Sequence, residues 1–172
     1  MMSTLAAVFR RHKRPVGTSW RMDESHIKIN DEWKYLYRAV DCAGNTVDFL
    51  LHAHRDLAAA RCFFERAVEL HGMPGKITID KSGANREAIV GMCSASGVGI
   101  EMRQSKYLSK LIEQDHRAIK RVVRPMLGFN SFRCARTIID GVKTMHMTKK
   151  GQLDFGKDRS SSASDKSYSW AC

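Results

Sequence analysis

Hydrophobic and polar positions follow two different periods along the chain. Between Ser19 and Ala53, three runs rich in β-branched and aromatic residues read as strands: Ser19–Ile29, Trp33–Val40 and Thr46–Ala53. Asn30-Asp31 and Ala43-Gly44-Asn45 fall between them, where tight hairpins need residues that tolerate left-handed backbone. The pattern predicts an antiparallel meander of three strands. The period then lengthens. Leu57, Ala60, Phe63, Phe64, Ala67 and Val68 recur at helical spacing behind Asp56, a residue suited to capping a helix N-terminus. His71-Gly72-Met73-Pro74-Gly75 ends that helix. Lys76–Asp80 reads as a short buried strand, Asn85–Ser94 as a helix and Gly99–Gln104 as a strand. Helices over Ser109–Val123 and Ser131–Lys149 follow, separated by Arg124-Pro125-Met126-Leu127-Gly128.

This order, three antiparallel strands and then helix, strand, helix, strand, helix, is that of an α/β ribonuclease H-like fold: a mixed five-stranded sheet flanked by helices. Element order indicates a fold and says nothing of chemistry. The pattern divides the chain into a basic N-terminal arm (residues 1–14), a core (15–150) and a loose tail (151–172), the last carrying six serines and few apolar groups. The arm, with Arg10-Arg11-His12-Lys13-Arg14 before Pro15, is expected to be exposed and extended.

Charge narrows the class of partner. The 172 residues include 29 Lys+Arg against 18 Asp+Glu, a formal +11, which favours a polyanion such as nucleic acid. The bias is local: from Glu101 to Lys150, twelve lysines and arginines face four acids, a net +8. Apolar runs fall far short of the roughly 20 residues that span a bilayer, and the start does not resemble a secretory signal, so membrane and secreted classes are set aside. Cys42, Cys62, Cys93, Cys134 and Cys172 form no C-x-x-C pair, which points to reduced thiols in a cytoplasmic protein.

With 18 acidic residues, a candidate carboxylate site must be defended by position. Asp23 lies mid-strand in the first strand. Asp80 ends the fourth, which in this topology runs beside the first. Glu113 lies early in the helix that starts near Ser109. Three carboxylates brought together repel one another and raise one another's pKa. Divalent cations between them make the arrangement favourable, and oxygen ligands select Mg²⁺, or Mn²⁺, over zinc. Two such ions about 3.5–4 Å apart suit phosphodiester chemistry. The competing reading is ordinary surface acids, which is weakest for Asp80 because Ile77-Thr78-Ile79 leads straight into it.

In the helix of Glu113, His116/Arg117 and Lys120 follow at one and two turns, while Ile112, Ile119 and Val123 mark the opposite, apolar face. Cations there can hold a phosphate backbone delivered to the metals; the competing reading is intrahelical Glu–Arg pairing on a solvated face. Trp20 and Trp33 are expected in the core or as hairpin partners. Met145-His146-Met147 is expected to be core packing, not a soft-metal cluster.

Taken as words, Ser19-Trp20-Arg21-Met22-Asp23-Glu24, Trp33-Lys34-Tyr35-Leu36-Tyr37-Arg38-Ala39-Val40-Asp41, Thr78-Ile79-Asp80-Lys81-Ser82-Gly83-Ala84-Asn85 and Glu113-Gln114-Asp115-His116-Arg117-Ala118-Ile119-Lys120-Arg121 resemble the DDE transposases of bacterial insertion sequences, most closely the insertion sequence six family. Arg124-Pro125-Met126-Leu127-Gly128-Phe129 does so too. The resemblance runs from about Phe9 to Gln152. It implies that Asp23, Asp80 and Glu113 are catalytic and bind two divalent ions, Mg²⁺ or Mn²⁺. It places Lys120 where relatives keep a basic residue thought to touch the transposon end. His116, Arg117, Arg121 and Arg124 are the further candidate DNA contacts. Implied partners are double-stranded DNA (transposon ends and target) and other copies of the chain in a dimer or higher synaptic complex, at the nucleoid or a plasmid. Family members carry an N-terminal helix-turn-helix region that has no counterpart before Phe9, and Ser109-Lys110 replaces a more usual polar pair. The expectation is therefore the catalytic domain of a transposase, truncated, that cleaves 3′ ends and transfers strands. The rivals are a non-enzymatic remnant that binds DNA or poisons the full-length enzyme, and a stand-alone ribonuclease H-type nuclease.

Overall fold

The computed structural model describes residues 13–80, 83–105, 119–121, 123 and 128–153. Its three leading strands are β1 (Ser19–Ile29), β2 (Glu32–Asp41) and β3 (Thr46–His52). Asn30 and Asp31 turn β1 into β2 with positive φ of 48° and 62°, the backbone a two-residue hairpin requires. The second turn is built around the buried Asp41. Its carboxylate accepts from the amides of Ala43, Asn45 and Gly17 and from the Asn45 side chain, at 2.7–2.9 Å. Burial pushes the Asp41 carboxyl up in pKa, but those hydrogen bonds outweigh it and leave the group below its ordinary value.

Helix α1 (Leu57–His71) begins at Asp56, whose side chain accepts from the Ala59 amide at 2.7 Å. Then come β4 (Lys76–Ile79), α2 (Gly83–Ser96), β5 (Glu101–Gln104) and α3 (Phe132–Lys149), the last capped by Ser131. Strand order is β3-β2-β1-β4-β5, antiparallel across β1, β2 and β3 and parallel across β1, β4 and β5. The expected mixed five-stranded sheet is present.

The two faces of the sheet carry separate cores. Trp20, Met22, Tyr37 and Ala39 pack with Phe63 and Phe64 of α1 and Ile89 of α2. Ile27, Ile29, Leu36 and Phe49 pack with Ile119 and with Ala135 and Ile139 of α3. Successive strand residues point to opposite faces, so β1 serves one core with its first half and the other with its second. Gly128 and Phe129 close the far end of β1: the Phe129 amide donates to the Lys28 carbonyl at 3.1 Å, and Asn30 donates back to the Phe129 carbonyl at 2.8 Å. Gly128, with φ +110°, has a position where a Cβ would stand 3.2 Å from the Lys28 carbonyl oxygen, so only glycine fits without strain.

Trp20 is in the core, and Trp33, 60% exposed, is a hairpin partner: it stands across from Lys28 and meets the edge of His26 at 6.3 Å between ring centres. Two expectations need correction. The Met145-His146-Met147 cluster splits: Met147 is buried and Met145 is 62% exposed, because neighbouring helical positions face different directions. The core also outlasts Lys150. Leu153 bridges to Lys13, and the buried Gln152 side chain accepts from the Thr46 amide at 2.8 Å and donates to its carbonyl. The expected boundaries at 14 and 151 thus cut through packed chain, because these segments complete the hydrogen bonding beside β3. The rest of the arm and tail, residues 1–12 and 154–172, lies outside the described residues.

Candidate active site

Asp23 and Glu24 sit where β1 changes the core it serves, and they point to opposite faces. β1 and β4 run in parallel with Arg21 beside Thr78. Two positions further along each strand, the same register brings Asp23 level with Asp80, just past the C-terminal end of β4. Neighbouring strands lie about 4.8 Å apart. Two of the three expected carboxylates therefore lie toward one end of the central strand pair, on one face. Ile119, six positions after Glu113 in sequence, packs in the core on that face with Ile27 and Ile29. Glu113, His116, Arg117 and Arg124 lie outside the described residues. Lys120 and Arg121 are exposed beside buried Ile119, the division of faces expected of that helix.

Each aspartate has an arginine near it. Arg38, directly across from Asp23 in β2, is buried, with one nitrogen 3.8 Å from the Asp23 carboxylate and its guanidinium 6.0 Å from the centre of the Phe49 ring. Arg55, in the β3–α1 connection, stands 3.9 Å from Asp80. Both distances exceed those of a close charge-assisted hydrogen bond, roughly 2.7–2.9 Å.

On the opposite face, Glu24 ties this corner together. Its side chain is 4% exposed; one oxygen meets Arg55 Nε at 2.6 Å and the other accepts from Asn85 Nδ2 at 2.5 Å. Asn85, fully buried at the start of α2, also reaches Asp80 at 3.4 Å. Glu24 therefore touches two side chains that both stand beside Asp80. Burial and then the Glu24 carboxylate push the phenol of Tyr37, its cross-strand partner, well above the ordinary tyrosine value, so Tyr37 stays neutral. Residue type and spacing identified Asp23 and Asp80 as candidates but missed Glu24, Arg38, Arg55 and Asn85. The one available signal was the adjacency of Glu24 to Asp23 and of Asn85 to the loop after Asp80.

Among the described residues, no three His, Cys, Asp or Glu side chains cluster as a metal site, and no helix is long and apolar enough to cross a membrane. The donors that are described, two carboxylates at a parallel strand end, are hard oxygen ligands and fit Mg²⁺ or Mn²⁺.

A family profile described as a DDE domain, of transposases, matches residues 17–152. The chain belongs to that family. A transposase for insertion sequence-like element IS431mec from Staphylococcus aureus is 35% identical over 147 residues, covering 85% of this chain and 64% of the relative. A transposase for insertion sequence element IS257 in transposon Tn4003, from the same species, matches equally well. The chain is thus a DDE transposase relative of the insertion sequence six type, spanning about two thirds of the length of these relatives. Two solved structures share the fold. The HTLV-2 integrase catalytic core domain, in complex with magnesium, superposes with a TM-score of 0.56 at 17% identity, covering 89% of this chain and 98% of that one. The BIV integrase catalytic core domain does so with 0.57 at 13%, covering 89% and 95%. At such identities these two show the ribonuclease H-like fold alone.

Proposed function

We propose that this DDE domain performs metal-dependent DNA phosphoryl transfer, cleaving 3′ ends of a bacterial insertion sequence and joining them to target DNA. Asp23, Asp80 and Glu113 would hold two divalent ions, Mg²⁺ or Mn²⁺. Such ions supply Lewis-acid stabilisation of the attacking and leaving oxygens. The observation that carries the reading is the parallel β1–β4 register, which brings Asp23 level with Asp80 on the face where Ile119 packs.

The chain's own residues account for the rest. Glu24 holds Arg55 and Asn85 against Asp80 and so limits the orientations of that carboxylate. Arg38 offsets the charge of Asp23 from beneath, where water does not reach. Lys120 and Arg121, exposed beside Ile119, would hold the DNA backbone, together with His116, Arg117 and Arg124. Phosphoryl transfer needs positioning and charge stabilisation and no covalent protein intermediate. The substrate is double-stranded DNA, both transposon ends and target. The working unit is a dimer or larger synaptic assembly of this chain, acting on nucleoid or plasmid DNA in the cytoplasm.

The test is strand joining on labelled oligonucleotide duplexes carrying element ends, with Mg²⁺. Wild type should yield joined product, and Asp80→Asn should lose it. A folded wild-type chain that binds DNA yet nicks and joins nothing would favour the non-enzymatic remnant.

A further inference from the structure

A second cluster of charge lies at the β3 edge of the sheet, away from the aspartates. There a cavity of about 100 Å³ opens between α1, α3 and the residues before β1. Lys13, Arg66, His71, Arg136 and Lys143 line it. A void of about 10–15 Å³ on this measure holds one water, so the space accepts a tetrahedral oxyanion. Four of these side chains are formal cations. The carboxylates that face them are Asp140 of α3, in the wall, and Asp48 of β3, behind it. Asp48 is fully buried and is already held by Arg66, at 2.9 Å, and by Lys143. Asp41 also acts on Lys13, so with Lys13 protonated the four cations exceed the three acids by one.

We infer that this pocket binds a phosphate group, held by Arg136, Lys143 and Lys13.

Burial first, and neighbouring cations second, act on the groups of the pocket. Lys13 Nζ donates to the Val47 carbonyl at 2.6 Å and lies 3.0 Å from Nε2 of His71. Burial, then the Lys143 ammonium, lower the Lys13 pKa to about 7, although Asp48 and Asp41 pull the other way. Burial, then Lys13, lower His71 to about 4, against the Val47 carbonyl and Asp48. The pocket thus disfavours positive charge as it stands. An anion entering it would restore the Lys13 proton and satisfy Arg136, which is exposed at the mouth. Arginine suits phosphate because its planar fork gives two parallel hydrogen bonds. The site does not depend on the carboxylate reading, and failure of either leaves the other standing.

Titration calorimetry with inorganic phosphate at pH 8, in two buffers of different ionisation enthalpy and at matched ionic strength, tests the inference. Wild type should bind phosphate and take up most of one proton, because Lys13 is largely neutral at that pH. Arg136→Gln should weaken binding about tenfold, the loss of a charge-assisted contact. Lys149→Gln, an exposed cation of the same helix outside the pocket, should leave it unchanged, and Lys13→Gln should abolish the proton uptake. No binding heat, no proton uptake, or equal affinity in wild type and Arg136→Gln would overturn the inference. A short duplex separates the sources of the phosphate. If DNA backbone occupies the pocket, inorganic phosphate displaces the duplex and Arg136→Gln weakens duplex binding. If the ligand is a free phosphate, the duplex binds both proteins equally while the phosphate defect persists.

Discussion

Replacing Glu24 by Gln would remove one charge from the brace behind Asp80 and keep its shape. The glutamine carbonyl can still accept from Asn85, so the loss centres on Arg55, which is 42% exposed in its side chain. A charge-assisted contact contributes about 1.5–3 kcal/mol when buried, and solvent screening of so exposed an arginine cuts this to about 1 kcal/mol. The expected fall in melting temperature is about 2–5 °C for a domain of this size. Function should suffer more than stability. Residues that orient metal ligands typically change metal affinity or activity by about 10–100-fold. The Mg²⁺ concentration at half-maximal thermal stabilisation should rise by about that factor. Removing a negative charge would itself weaken cation binding, so Arg55→Met separates field from position. Deleting a nearby positive charge by itself favours the metal, whereas losing the brace opposes it. A raised Mg²⁺ midpoint in both variants supports positioning. An Arg55→Met midpoint at or below wild type would refute the reasoning and leave Glu24 acting only through its charge.

Asp41→Ala removes four hydrogen bonds from the β2–β3 turn and should cost about 2–4 kcal/mol in urea unfolding at neutral pH. Because the folded pKa of Asp41 is depressed, its contribution is present above the unfolded value of about 3.9 and fades as pH falls through the folded one; the gap between wild type and variant should narrow below about pH 4. Duplex DNA affinity should fall about a thousandfold between 50 and 200 mM salt if about 6 phosphates are contacted, and Lys120→Ala should lower the slope by about 1. A wild-type slope near zero would remove the backbone contacts.

Elements set by local chemistry were legible in the sequence. Asp56 and Ser131 cap their helices, and Asn30-Asp31 turns the first hairpin, because each acts on backbone within a few residues of itself. The pairing of β1 with β4 followed from topology. Contacts between distant elements were not legible. Period-two patterning treats Arg38 as polar and solvent-facing, yet it is buried, across from Asp23 and over the Phe49 ring. Asp48 looked like one strand acid among many; its two partners arrive 18 and 95 residues later, from α1 and α3. Aromatic content marked Trp20 and Trp33 as strand residues without saying which is covered: Trp20 is 2% exposed and Trp33 60%.

The claim that three carboxylates share the metals is tested most directly by Mn²⁺ titration calorimetry on wild type, Asp23→Asn, Asp80→Asn and Glu113→Gln, each checked for folding by circular dichroism. Mn²⁺ should bind wild type, and each variant should lose at least about tenfold in affinity, because every ligand belongs to one site. Wild-type affinity and stoichiometry in any one of the three would contradict it.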